Sequence, residues 1–129
     1  MRLKSLIISL IVCVMATAAI PAAVEDNFAR GIDEFDAGRW SAAADLFCKA
    51  ANERPRDEVA HLTAGVALAT IGRYAEAARQ FEAAVRIAPE GVVGWMLLDR
   101  AYAEMGRVAE SKHARSIANE LLASGKAFG

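Results

Sequence analysis

Residues 58–91, EVAHLTAGVALATIGRYAEAARQFEAAVRIAPEG, decide the fold, because the neighbouring parts of the chain repeat the same pattern. When the chain is shifted by 34 positions, small, aromatic and proline residues fall into register. A third and looser copy follows, in which Gly106 aligns with Gly72. A fixed period of this length indicates a stack of similar units. The matching residues are Gly31, Gly38, Trp40, Ala43, Phe47, Ala50 and Pro55 in the first copy and Gly65, Gly72, Tyr74, Ala77, Phe81, Ala84 and Pro89 in the second.

The pattern G-x-[YW]-x-x-A-x-x-x-F-x-x-A, followed by proline, resembles the tetratricopeptide repeat (TPR) family, which stacks helix-turn-helix units of 34 residues. The resemblance covers residues 24 to about 124. It implies an all-α fold, a right-handed superhelical stack of about three units that is called an α-solenoid. The units are predicted at residues 24–57, 58–91 and 92–124, and residues 125–129 are predicted to form a flexible tail.

Glycine and proline predict the helix boundaries. Gly38 follows an apolar stripe at helical spacing, and a glycine there can adopt the left-handed conformation that ends a helix. Ser41 is then the predicted N-cap of the second helix, and Pro55 prevents that helix from continuing.

Small residues predict where helices approach each other. Gly65 lacks a side chain where the two helices of its unit should nearly touch, and Ala77 is predicted to provide the facing surface. Phe81 is predicted to fill the space between units. The corresponding residues of the first unit are Gly31, Ala43 and Phe47.

The third unit keeps only part of the pattern. Trp95, Tyr102 and Gly106 stand at positions typical of the family's first helix and its end. Asp99, Ser111 and Arg115 instead replace the glycine, the inner alanine and the phenylalanine. The second helix of this unit is therefore predicted to be a terminal cap, with a narrow apolar face toward the stack and Arg115 on the side facing water.

The first 23 residues have the features of a secretory signal peptide: a cationic start, an apolar run and then small residues. Cleavage after Ala18, Ala22 or Ala23 is compatible with the sequence. The expected location is the bacterial periplasm. The alternative is an uncleaved anchor in the inner membrane, formed by residues 6–23, in which case the membrane is also a partner.

Composition limits the partners. The chain has 129 residues, enough for one domain, and a formal net charge of -1, which argues against an electrostatic nucleic-acid binder. Without the first 23 residues, Cys48 is the only thiol, so an internal disulfide is excluded. Cys48 is interpreted as a small buried residue beside Phe47, with an intermolecular disulfide as the alternative.

Catalytic and cofactor motifs are absent from the sequence. It contains no phosphate-binding loop, no paired cysteines at metal spacing and no H-E-x-x-H. His61 and His113 are interpreted as packing or surface residues. The chain is therefore predicted to be no enzyme, to need no cofactor or metal and to have no small-molecule substrate.

The resemblance implies a peptide-binding groove on the concave surface, which the first helix of each unit lines. The family's groove positions are mostly apolar here, and Arg100 is the single positive residue among them. The positions at which other members clamp a chaperone's C-terminal carboxylate hold Phe28, Ile32, Thr63, Val93 and Leu97, so that activity is not expected. The predicted groove residues are Phe28, Ile32, Phe35, Val59, Leu62, Val66, Met96 and Arg100.

The sequence therefore favours a non-enzymatic adaptor that binds a peptide segment of a partner protein, in a cell-envelope or secretion assembly. The alternative is a self-associating structural protein whose groove is buried in a homodimer. Three units are about the minimum for a stable stack, which favours this alternative.

Overall fold

The computed structural model of the protein describes residues 26–125, which form helices and turns and contain no strand. Each helix packs against the next along the chain, and the first helices of the second and third units also touch. The predicted all-α stack is confirmed. The predicted signal peptide and residues 126–129 of the predicted tail lie outside the described residues. The helices are α1 (Asn27–Asp36), α2 (Trp40–Glu53), α3 (Glu58–Thr70), α4 (Tyr74–Ile87), α5 (Val92–Glu104) and α6 (Val108–Ala123).

The same glycine turn joins the two helices of every unit. Gly38, Gly72 and Gly106 have φ angles of 76°, 78° and 74°, in the left-handed region that only glycine adopts without strain. In the first turn the amide of Gly38 donates to the Phe35 carbonyl and the amide of Arg39 to the Glu34 carbonyl. These two bonds define a Schellman motif, and the other two turns repeat it. The predicted ends of the first helices are therefore correct.

The start of the second helix differs from the prediction. Helix α2 begins at Trp40, and Arg39 occupies the N-cap position without a side-chain hydrogen bond to the helix. Ser41 is thus the second helical residue and does not cap. The reason is the Schellman turn, which passes from Gly38 through Arg39 directly into the helix and leaves no room for a later cap.

Close approach within a unit joins a glycine to a phenylalanine. A Cβ atom on Gly31 would lie 2.6 Å from the Phe47 ring, and one on Gly65 would collide with the Phe81 ring in the same way. The three atoms nearest to each such Cβ all belong to the phenylalanine ring, and the predicted partners, Ala43 and Ala77, are fully buried. The aromatic ring therefore occupies the space that a side chain at the glycine position would need.

Successive units are joined by a repeated hydrogen bond to the closing proline. The Nε2 atom of the buried His61 donates to the Pro55 carbonyl at 3.1 Å, and the Nε1 atom of Trp95 donates to the Pro89 carbonyl at 2.8 Å. His61 and Trp95 are equivalent positions of the repeat. The Nδ1 atom of His61 also lies 2.8 Å from the side-chain amide of Gln80. The interpretation of His61 as a packing residue agrees with these contacts.

Candidate functional site

An apolar groove crosses the first helices of the three units. It encloses about 360 Å³, and side chains from α1, α3 and α5 line it, with the Phe47 ring at its base. Four of the predicted groove residues, Ile32, Phe35, Leu62 and Val66, meet here. We call this cavity the apolar groove. Its other lining residues are Thr63, Ala67, Val93 and Leu97.

Much of the apolar groove is uncovered. Val93 is 59% exposed, Ile32 is 43% exposed and Val66 is 41% exposed. In helix α3, the only titratable residues are Glu58 at its start and the buried His61. The central wall of the groove therefore offers a ligand aliphatic surface without charge.

A second cavity of about 270 Å³ adjoins the apolar groove, because Val66 and Leu97 line both. Arg100 and Tyr74 line it, together with the buried Phe81. We call this cavity the arginine pocket. Its remaining lining residues are Ala69, Thr70 and Ala101.

Besides Arg100, three of the predicted groove residues lie outside the apolar groove, and none of the three lines the arginine pocket. Phe28 is half-buried, and its ring packs edge-on against Phe47 with 5.5 Å between the centroids. The guanidinium carbon of Arg54 lies over the Phe28 ring, 6.0 Å from its centroid. Val59 and Met96 are 60% and 54% exposed but line neither cavity.

The polar cluster of the third unit was missed by sequence reasoning. Asp99 accepts hydrogen bonds from the Arg115 Nε atom at 2.9 Å, from its Nη2 atom at 3.2 Å and from the Ser111 hydroxyl. Arg115 holds the pKa of Asp99 below its usual value, and Ser111 adds to this effect. Arg115 is exposed, as predicted, but its guanidinium is paired. The three residues occupy the positions of glycine, alanine and phenylalanine in the other units. Because all three are replaced by polar residues together, the sequence could have indicated that they contact each other.

The convex side carries a third cavity, of about 300 Å³, which is lined in part by Trp95, Tyr102 and His113. The Tyr102 hydroxyl donates to Glu82 Oε1 at 2.6 Å, and Arg107 lies 4.9 Å from the centroid of the ring. Burial, with a further contribution from Glu82, raises the pKa of Tyr102 to about 12. The phenol therefore serves as a neutral donor that connects α4 to α5.

Cys48 is a free thiol and is half-buried, so it is more accessible than predicted. Burial raises the pKa of its thiol, which favours the less reactive protonated form. The intermolecular disulfide stays a prediction. Within residues 26–125, no cluster of three or more His, Cys, Asp or Glu side chains is placed to hold a metal ion. None of the six helices combines the length and the apolar character of a membrane span.

No protein-family model and no curated protein matches the chain in sequence. Among solved structures, MamA AMB-1 is 27% identical over 83% of this chain, with a TM-score of 0.71, and MamA MSR-1 is 25% identical over 84%, with a TM-score of 0.71. The chain spans 63% and 62% of the length of these two proteins.

The first TPR of Spaghetti (RPAP3), bound to an HSP90 peptide, is 19% identical over 74% of this chain and 75% of its own, with a TM-score of 0.67. At this identity the likeness concerns the fold alone. Together with the three glycine turns and the register of 34 residues, these similarities confirm the resemblance: the chain has the fold of the TPR family.

Proposed function

We propose that the protein is a non-enzymatic interaction scaffold that binds a peptide segment of a partner protein in the apolar groove. The observation that carries the proposal is the uncovered aliphatic lining, with Val93 59% exposed at its edge. Contiguous apolar surface of this kind usually marks a binding site for a protein. The groove volume of about 360 Å³ is large enough for the side chains of a short segment.

The fold supports the same use. Both TPR domains of RPAP3 in the solved complexes hold an HSP90 peptide. In this chain four of the five carboxylate-clamp positions hold apolar residues and the fifth holds Thr63, so the ligand proposed here is recognised mainly by its apolar side chains. An amphipathic helix or an extended segment can present such side chains to a groove.

The proposed setting is the bacterial periplasm, in an envelope or secretion assembly. The support is the sequence of the first 23 residues, with the features of a signal peptide. Cell fractionation and N-terminal analysis of the expressed protein test it. A chain that begins near residue 19 to 24 in the periplasmic fraction is the expected result. An uncleaved chain in the membrane fraction would favour the anchored alternative, and an uncleaved cytosolic chain would contradict both.

Photo-crosslinking from position 62, followed by charge substitution, tests the groove itself. A photoreactive residue in place of Leu62 is expected to capture one partner protein in the native host. The double change Leu62→Asp and Val66→Asp should abolish this partner's recovery, because two carboxylates would lose their hydration in an apolar site. Val93→Asp, at a more exposed position, should weaken recovery with less risk to the fold.

The matched control is Val108→Asp, which introduces the same charge at a position 59% exposed on α6, outside the groove. It should leave recovery unchanged. Circular dichroism checks that each variant is folded. Undiminished recovery by folded groove variants would refute the proposal.

The second candidate is a self-associating structural protein whose groove is covered by another copy. It is favoured by exposed large apolar side chains at the first unit, where Phe35 is 38% and Trp40 is 50% exposed. Light scattering across a range of concentrations separates the two functions. A monomer at all concentrations excludes self-association, and a dimer that dissociates when Val66 is changed to Asp supports it.

A further inference from the structure

The arginine pocket has a free positive charge. In the described part of the chain, several arginines form ion pairs with carboxylates, among them Arg39, Arg54, Arg73, Arg107 and Arg115. Arg100 forms no ion pair or hydrogen bond with any residue from 26 to 125, and its side chain is exposed. Glu104, one helical turn further along α5, is not paired with it. The full bonding capacity of the Arg100 guanidinium is therefore available to a ligand.

Tyr74 adds a second polar group to the arginine pocket. Its ring lines the cavity, and its hydroxyl makes no hydrogen bond with the described residues. Every buried polar side-chain atom of these residues has a partner, so the hydroxyl is open to solvent. A phenol and a guanidinium in the lining of one cavity offer donors to an acidic group, and an arginine can bind a carboxylate with two parallel hydrogen bonds.

The arginine pocket is continuous with the apolar groove. Val66 and Leu97 line both cavities, so a ligand in the groove brings its neighbouring residues to Arg100. Helix α3, which lines both cavities, has no Asp, Glu, Lys or Arg after Glu58. After Glu58, α3 therefore offers no acidic side chain that could compete with a ligand carboxylate for Arg100. Among the residues that line the two cavities, Arg100 carries the charge, and it lies at one end of the site.

Resting on the proposed function, we infer that the bound segment carries an Asp or Glu side chain beside its apolar residues, held by Arg100 with help from Tyr74. The apolar residues occupy the groove lined by Leu62 and Val66. The acidic side chain sets the register and the direction of the segment, because the positive group lies at one end of the groove.

Selection from a phage library of short random peptides with blocked C-termini tests this inference on the purified full-length chain. Peptides recovered by the native protein should combine apolar residues with an Asp or Glu at a fixed spacing. Selection on Arg100→Gln should recover apolar peptides without that acidic residue. The matched control, Arg86→Gln, removes an exposed arginine on the convex side and should preserve the acidic residue.

Fluorescence anisotropy with one selected peptide measures the interaction. Changing its acidic residue to the amide should weaken binding to the native protein roughly 10-fold, as for the loss of a charge-assisted hydrogen bond. The same change should have no effect on binding to Arg100→Gln, and Tyr74→Phe should weaken binding less. Peptides that lack acidic enrichment, or an acidic preference that survives Arg100→Gln, would overturn the inference.

The two proposals fail in different ways. If Val66→Asp abolishes binding but the peptides show no acidic residue, the groove function stands and the inference on Arg100 is wrong. If the native protein selects no peptide, both the groove function and this inference are wrong.

Discussion

At the scale of single residues, the chain uses small and aromatic side chains as matched pairs. Phe81 is 1% exposed and lies against Gly65, so neither residue can change size alone. The repeat predicted which residues are structurally important, since both recur at the same offset. The repeat did not predict that Gly65 contacts Phe81. Ala77 and Phe81 lie on the same facing helix and recur at the same offset, so the sequence alone does not tell which of them meets Gly65.

Tyr102 gives a prediction about pH at this scale. Its pKa is raised to about 12, chiefly by burial, so the folded protein holds the phenol in its protonated form. The resulting stabilisation is complete below the ordinary tyrosine pKa near 10 and is lost as the pH rises through about 12. The chain has two tyrosines, so the Tyr74→Phe variant leaves Tyr102 as the only phenol.

Ultraviolet absorbance of the phenolate in Tyr74→Phe should therefore show a single titration with a midpoint near 12. Adding Glu82→Gln should move the midpoint down, because the neighbouring carboxylate raises the pKa. A midpoint near 10 in the folded protein would contradict the described environment of Tyr102.

At the scale of helices and turns, prediction succeeded where one residue type has one physical reason. Gly38, Gly72 and Gly106 end helices because a left-handed conformation strains other residues. Prediction failed at the start of α2, because several residue types can occupy an N-cap position. Ser41 is a good N-cap in isolation, but the Schellman turn places the N-cap at Arg39, two residues earlier, and α2 begins at Trp40.

The groove was predictable in part for a similar reason. The family's concave positions placed Ile32, Phe35, Leu62 and Val66 together, because helical spacing puts them on one face. Phe28 falls on the same stripe, yet its ring packs edge-on against Phe47 and does not line the groove. The pairing of Asp99 with Arg115 could not be derived from helical periodicity, which describes one helix at a time.

The third unit offers a test of this pairing across helices. Asp99→Gly alone should lower the melting temperature by about 4–8 °C, since glycine costs about 1 kcal/mol in a helix. Arg115→Phe alone should also lower it, because the ring would meet the Asp99 carboxylate. The double variant recreates the glycine and phenylalanine pair of the other units. Its melting temperature should therefore be higher than the value obtained by adding the decreases of the two single variants.

The matched control combines Asp99→Gly with Lys112→Phe, which places a ring on an exposed part of the same helix. No recovery is expected there. Thermal melts followed by circular dichroism give all the values. Additive effects in the Asp99→Gly, Arg115→Phe variant would mean that the polar cluster does not replace the aromatic contact.

At the scale of the whole molecule, stability is shared between neighbouring units. Each helix packs mainly on its neighbours in the chain. The core therefore extends along the stack from one helix pair to the next, and many of its buried residues are alanines. Stacks of this kind depend on their terminal units, because an uncovered unit exposes the face that its neighbour would bury.

Removal of α6 measures this dependence. In a chain that ends at Gly106, the buried side chains of Leu98 and Tyr102 lose their cover. We expect the melting temperature to fall by about 10 °C or more, since each such side chain contributes roughly 1.5–3 kcal/mol when buried. Deletion of residues 125–129, predicted to be a flexible tail, is the control and should leave the melting temperature unchanged. If the chain ending at Gly106 melted at the same temperature as the native chain, α6 would contribute nothing to stability, and the first two units together with α5 would form a stable stack without a cap.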